Sequence, residues 1–313
     1  MQKALSENKF QLLLVFVFLS SLISWTDRKP LAESEYSSLY YIDSNLVPFY
    51  PQIIVYTKPA FDSKPLFKTK HFNNSFRLVE ILEFPKTNFH GILGRWYKVS
   101  FVLGGKKFQG FIPSQSLANC VVKESGKTYL VGLNSYLPKP IQKYQASLKV
   151  IEKGALIKEI LFEPVSQYSS NENDEKSGEY ACYSQINIFD SLGLKGIDRI
   201  IEISTGVEAC GYEGGSNFFL IKNNKLMSHL KTYATADGGE FYVGLEYIFP
   251  NDTLGAKDTL ILKYNNYELV NDSQGIDETS IVKMKWNGLS FIRTDSIFKK
   301  EIVKIQSEEF EED

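Results

Sequence analysis

The sequence predicts an all-β protein, and three observations predict it. Short apolar runs rich in Val, Ile, Tyr and Phe stand between Gly, Asn, Asp and Pro, the composition that strands and tight turns prefer. Several of these runs alternate apolar with polar residues, as in SFRLVEILEF, RWYKVSFV and KKFQGFIP. A polar pair or triplet also recurs between strand-like halves: EKG in LKVIEKGALIKEIL, NN in FFLIKNNKLMSHL, NN in TLILKYNNYELV and NG in IVKMKWNGLSFI. Asn and Gly tolerate the left-handed dihedrals of two-residue hairpin turns, so four hairpins are expected there.

The chain of 313 residues, 43% hydrophobic and 14% aromatic, suffices for about two packed domains. Its 35 Lys and Arg against 37 Asp and Glu leave a net charge of -2, which provides no long-range field for nucleic acid or an anionic membrane surface. Residues 1–32 read as a signal segment and spacer: Lys3 and Lys9 precede the apolar stretch QLLLVFVFLSSLISW, and TDRKP restores charge after it. That stretch is shorter than the ~18–20 apolar residues of a spanning helix, so export is expected, with an uncleaved N-terminal tether as the alternative. The expected location is the periplasm or cell envelope.

Residues 36–120 form the first β unit. Pro48, Pro51, Pro59, Pro65 and Pro85 punctuate its strands, and Gly104–Gly105 signals a hairpin. Residues 121–296 form a second, hairpin-rich unit, a sandwich or a partial propeller, interrupted by a polar excursion at 165–179. Within it DSLGLKGIDRII from Asp190 is echoed by DTLGAKDTLIL from Asp252, about sixty residues later. Residues 297–313 read as an acidic, solvated tail.

Three stretches of the first unit, VYTKPAFDSKPL, GRWYKV and KFQGFIPSQSLA, resemble the bacterial SH3-like domain, a small barrel of exported bacterial proteins. They match its opening strand and loop, its central strand with Trp and Lys-Val, and its closing strand. Phe111 stands where the family usually has Trp, and KTNFHGIL lengthens the loop before Trp96. The resemblance implies an aromatic groove made by Tyr56, Tyr97 and Phe111, taking a peptidoglycan peptide or an envelope protein. The competing reading places Trp96, Val99 and Ile112 inside the barrel, with the other aromatics capping its ends. The second unit resembles, in style only, domains that follow such modules in exported proteins of Bacteroidetes-type bacteria.

Catalytic signatures were sought in the second unit. Asp190 and Asp198, with Asn251, Asp252 and Asp258 in the echo, suggest calcium loops, but Leu192 and Leu194 occupy positions that would have to be acidic, and turn formation is the stronger reading. Cys210 lies among glycines in ACGYEGGSNFF, and the sole downstream histidine is His229, in a strand-like run rather than the context a cysteine nucleophile needs. Cys182 and Cys210 could pair if strands bring them together, leaving Cys120 over; the alternative is three small buried thiols. His71, His90 and His229 are isolated, so no zinc site, other metal or cofactor is assigned. Glu202, Glu208, Glu213 and Glu240 are the carboxylates from which a sugar-cleaving pair would have to come. The expected function is therefore non-enzymatic: an exported envelope protein binding a wall component or protein partner through its first unit. A wall hydrolase with its site in the second unit, or a purely structural module, are the alternatives.

Overall fold

The structure, a computed structural model, describes residues 45–72, 74–137, 143–164, 183–205, 214–237, 240–271 and 274–304. It is all-β: these residues form four antiparallel sheets and a single 3-10 turn, Ser114–Ser116. The expected signal segment, the polar excursion, and Cys182, Cys210, Glu208 and Glu213 lie outside the described residues. No helix among the described residues is long and apolar enough to cross a membrane.

The first sheet comprises β1 (Asn45–Leu46), β2 (Ile54–Tyr56), β3 (Pro65–Lys68), β4 (Phe76–Phe89), β5 (Ile92–Leu103) and β6 (Lys106–Pro113), in the order β1-β4-β5-β6-β2-β3. Alternate residues of these strands point to one side and meet there: Leu46, Val55, Phe76, Leu78, Tyr97, Val99 and Ile112 share a buried interior. The sheet encloses its own core without closing, because its edges β1 and β3 do not pair with each other. Gly104 and Gly105, at φ 56° and 78°, turn β5 into β6 as expected. KTNFHGIL, expected as a lengthened loop, is instead the tip of a long hairpin. His90 and Gly91 take φ 55° and 80°, and Phe89 pairs with Ile92.

The second sheet, β7 (Cys120–Glu124), β8 (Lys127–Leu137), β9 (Lys143–Glu152) and β10 (Ala155–Phe162), faces the third, β11 (Tyr183–Phe189), β12 (Arg199–Thr205), β13 (Gly215–Lys222) and β14 (Lys225–Lys231). Between them Val131, Leu148, Ile160, Ile203 and Phe219 form a sandwich core. Each such side chain contributes ~1.5–3 kcal/mol on burial. The third sheet is covered on both faces. Phe219 points into the sandwich, whereas Phe218 and Leu220 point away from it to a second cluster, so β13 reads as a continuous apolar run.

That second cluster attaches the fourth sheet, β15 (Tyr233–Asp237), β16 (Phe241–Ile248), β17 (Thr259–Asn271), β18 (Gln274–Trp286) and β19 (Phe291–Lys304), through Phe249, Leu260 and Trp286. The two echoing turns meet at this junction. The Asn251 amide donates to the Leu192 carbonyl (3.1 Å), and Trp286 Nε1 donates to the Lys195 carbonyl (2.9 Å). Gly193, at φ 87°, lies so close to Asn251 and Pro250 that a β-carbon would come within 2.5 Å of Asn251 Oδ1. Beyond the junction no buried cluster among the described residues covers the sheet, and β19 runs to Lys304 through the first residues of the span expected as a tail.

Hairpin turns form at Lys153–Gly154 and Asn223–Asn224, all four residues with positive φ, and a longer turn at Asn287–Ser290 is held by Asn287 Oδ1 accepting from the Leu289 and Ser290 amides. Asn265–Asn266 does not turn. Both residues sit inside β17, opposite Thr279 and Glu278 of β18.

Sheets one and two are joined at a buried lysine. Lys149 Nζ donates to the Phe49 carbonyl (3.1 Å), lies 3.9 Å from the Phe49 ring centre and 4.4 Å from that of Tyr50, and pairs with Glu159 at 3.6 Å. Gly132 permits this seat, because a β-carbon there would come within 2.9 Å of the Phe49 ring. Beside it the Tyr50 hydroxyl donates to the Asn134 carbonyl (3.2 Å). Burial, and secondarily Glu159, raises the pKa of Tyr50 well above the usual phenol range. The folded chain therefore keeps this proton when the unfolded chain has lost it. The stability contributed by Tyr50 is present below about pH 10 and is lost as pH rises further. Urea midpoints measured from pH 8 to 11 are expected to fall more steeply in the wild type than in Tyr50→Phe above pH 10; parallel curves would contradict this assignment.

Candidate functional site

The three aromatics expected to line a groove do not share a surface. Tyr97 faces the interior of the first sheet and is 3% exposed. Tyr56 and Phe111 are cross-strand partners, and Phe111 is also opposite Lys98. They stand on the outer face, because Phe111 is adjacent in β6 to the inward Ile112, and side chains alternate along a strand. Trp96 belongs to this outer face as well and not, with Val99 and Ile112, to the interior. Its ring stacks against Tyr56 (5.6 Å between centroids, edge-on) and Phe61 (4.9 Å, tilted). Phe61, from the β2–β3 loop, is partly exposed and covers Trp96, which is 2% exposed. The outer cluster is thus a packed patch with little open surface.

A cavity of about 510 Å³ lies elsewhere in the same sheet, built from five of its strands. Phe67 of β3 stacks on Phe101 of β5 (5.4 Å, 24°), and Phe76 of β4 meets Phe101 edge-on (5.8 Å). The exposed cations Arg77 and Lys107 and the buried Ser100 also line the cavity, from strand positions next to these core residues. The placement follows from register. Asn45, Arg77 and Ser100 form one row across β1, β4 and β5, and Val102 pairs with Lys107 next to the Gly104–Gly105 turn. Phe76 and Phe101 are buried, so Phe67 is the ring with open surface; that surface beside two cations and small polar groups is suited to a ligand with an apolar part and a carboxylate.

A second cavity of about 510 Å³ opens at one end of the sandwich, over Val150, Ile160, Ile201 and Ile221. Three of its charged groups are engaged with the protein. Arg199 donates to the Tyr129 hydroxyl (2.5 Å) and pairs with Glu124 (3.7 Å), Lys158 donates to the Asn224 carbonyl (2.6 Å), and Asp198 accepts from the Asn223 amide (2.5 Å). These contacts tie the two sheets together.

The residues weighed for catalysis are dispersed. Glu202 of β12 accepts from Ser216 (2.7 Å) and Asn187 (2.8 Å), whereas Glu240 is exposed between β15 and β16. His229, although exposed overall, lays its ring on Phe219 (4.7 Å between centroids) and contacts Asn217 through Nε2 (2.9 Å). Desolvation there, helped by Lys231, lowers its pKa to about 4 and keeps it neutral near pH 7. Burial pushes the Cys120 thiol up, away from reactive thiolate character. Among the described residues no group of three or more His, Cys, Asp or Glu is placed to hold a metal ion. The Asp190 and Asp252 segments instead form turns, Asp252 Oδ2 accepting from the Phe249 amide (2.6 Å).

No family model, curated protein or solved structure matches the chain.

Proposed function

We propose that the chain is a non-enzymatic, exported cell-envelope protein that binds a wall component or protein partner through its first sheet. The observation that carries this reading is the pairing of stacked Phe67 and Phe101 with Arg77 and Lys107 around one cavity. The partly exposed Phe67 supplies contact area at low entropic cost, and the cations select a carboxylate, a group that wall peptides carry in abundance. Export rests on the apolar N-terminal stretch. A spacer role for the remaining sheets fits the serial way in which each is packed on the next.

Retention on purified peptidoglycan tests the proposal. The wild type is expected to be retained, with affinity falling about tenfold in Arg77→Ala/Lys107→Ala, since two partly solvated ion pairs contribute roughly 0.5–1 kcal/mol each. Retention should also weaken with added salt. Equal retention of wild type and double variant overturns the site, and release of soluble wall fragments would favour the hydrolase instead.

A further inference from the structure

We propose that the free edge of the fourth sheet is a self-association surface, on which a second copy of the chain adds its own β19 antiparallel about a two-fold axis through Ile297. Among the described residues eight strands are sheet edges. Those other than β19 span between two residues and eight, whereas β19 has 14 and pairs only with β18. A long edge is a template for another strand unless it is guarded. On β19 the side chains of Ile297, Phe298 and Ile302 are exposed (49%, 67% and 73%).

The charges on β19 decide the partner and the register. With Ile297 opposite Ile297, Asp295 of each copy stands opposite Lys299 of the other, and Phe298 opposite Ser296. These pairs lie within Asp295–Lys304, the part of β19 that follows the bulge at Thr294. Within this segment no like charges are opposed, and Ile297 lies near the middle of the strand. Neighbouring two-fold registers toward the C-terminus are disfavoured: centring on Phe298 sets Asp295 against Glu301, and centring on Lys299 or Lys300 sets lysine against itself. Like charges directly opposite are destabilising, and opposite ones stabilising, in cross-strand pairs. The Asp295–Lys299 contact would extend a row already begun within one chain, where Lys283 pairs with Asp295 at 3.6 Å. Symmetry closes the assembly at two copies, since each edge is used once.

Sedimentation velocity of the full chain over a wide concentration range tests this. A reversible dimer is expected, with Asp295→Lys and Lys299→Asp each weakening it about tenfold and the double variant Asp295→Lys/Lys299→Asp restoring it to within about threefold. Because Asp295 also contacts Lys283, Ile297→Lys provides an independent arm. It changes an exposed position, should leave the thermal midpoint of the monomer in place, and should likewise abolish the dimer. A chain that remains monomeric throughout, association indifferent to the single exchanges, failure of the double variant to recover, or assembly beyond two copies would each overturn the proposal.

Discussion

Trp286→Ala should loosen the fourth sheet from the rest of the molecule, at a cost of ~3–5 kcal/mol in the stability of the junction. Trp286 is buried in the cluster that contains Leu194, Phe218, Phe249 and Leu260, and it stacks with Phe291 at 4.7 Å. Its side chain donates to the Lys195 carbonyl in one echoing turn, and its backbone amide donates to the Asp258 carbonyl (3.3 Å) in the other. Truncation removes the ring volume and leaves the Lys195 carbonyl without that donor, so a transfer loss, a cavity and an unmet acceptor add together. Trp286→Phe retains most of the ring and gives up the hydrogen bond, a loss of about 1 kcal/mol. Hydrogen exchange should show amides of β17 and β18 near Leu260 and Met284 opening earlier in Trp286→Ala, with the sandwich core unchanged. Equal protection in wild type and variant would contradict the junction assigned to this side chain.

Lys149→Ala should be the most damaging change at the other junction, costing ~3 kcal/mol, whereas Lys149→Met should stay within about 1 kcal/mol of the wild type. The stem of Lys149 fills space between β9 and the Phe49–Tyr50 segment, so its volume matters more than its charge. Burial lowers its pKa, opposed by the neighbouring Glu159. The sign of the linkage follows. Between the lowered folded value and the ordinary value near 10.5 the unfolded chain binds more protons, and stability from this group rises with pH across that window. Below it, the buried ammonium is a standing cost, partly offset by Glu159 and the two rings. Methionine removes that cost with the volume kept, so the pH-dependent rise should be missing from Lys149→Met. Chemical denaturation of the three proteins at pH 7 and 9.5 checks both parts. Similar losses for alanine and methionine would show that the charge, and not the packing, holds the two sheets together.

Local chemistry made much of the fold legible. Gly104–Gly105, Lys153–Gly154 and Asn223–Asn224 turn where expected, because residues tolerant of positive φ were flanked by extended, apolar-polar runs. The same logic misleads at Asn265–Asn266. Its residues are held extended by a long register with β18 and by side-chain partners across it, Asn266 with Glu278 (3.5 Å) and Asn265 with Thr279 (3.4 Å), and the chain reverses only between Asn271 and Gln274. Tertiary pairing there outweighs a local preference.

The site was far less legible. Tyr56, Tyr97 and Phe111 were singled out by residue type and resemblance, but neighbouring strand residues face opposite ways, so Tyr97 could not join Trp96 and Phe111 on one surface. Arg77 and Lys107 carry no local mark, since a charged residue at alternate strand positions is ordinary; only the register of β4, β5 and β6 brings them to one cavity. Phe67 and Phe101 carry no mark in the sequence beyond residue type, and Phe101 is a core residue as well as a wall of the cavity.

The binding site itself is most directly tested by an amide-resonance titration of the folded chain with soluble wall-peptide fragments. Saturable shifts centred on Phe67, Arg77, Ser100 and Phe101, absent from Arg77→Ala/Lys107→Ala, are the expected result. Shifts confined to the sandwich cleft around Tyr129 and Arg199, or cleavage of the added fragments, would contradict it.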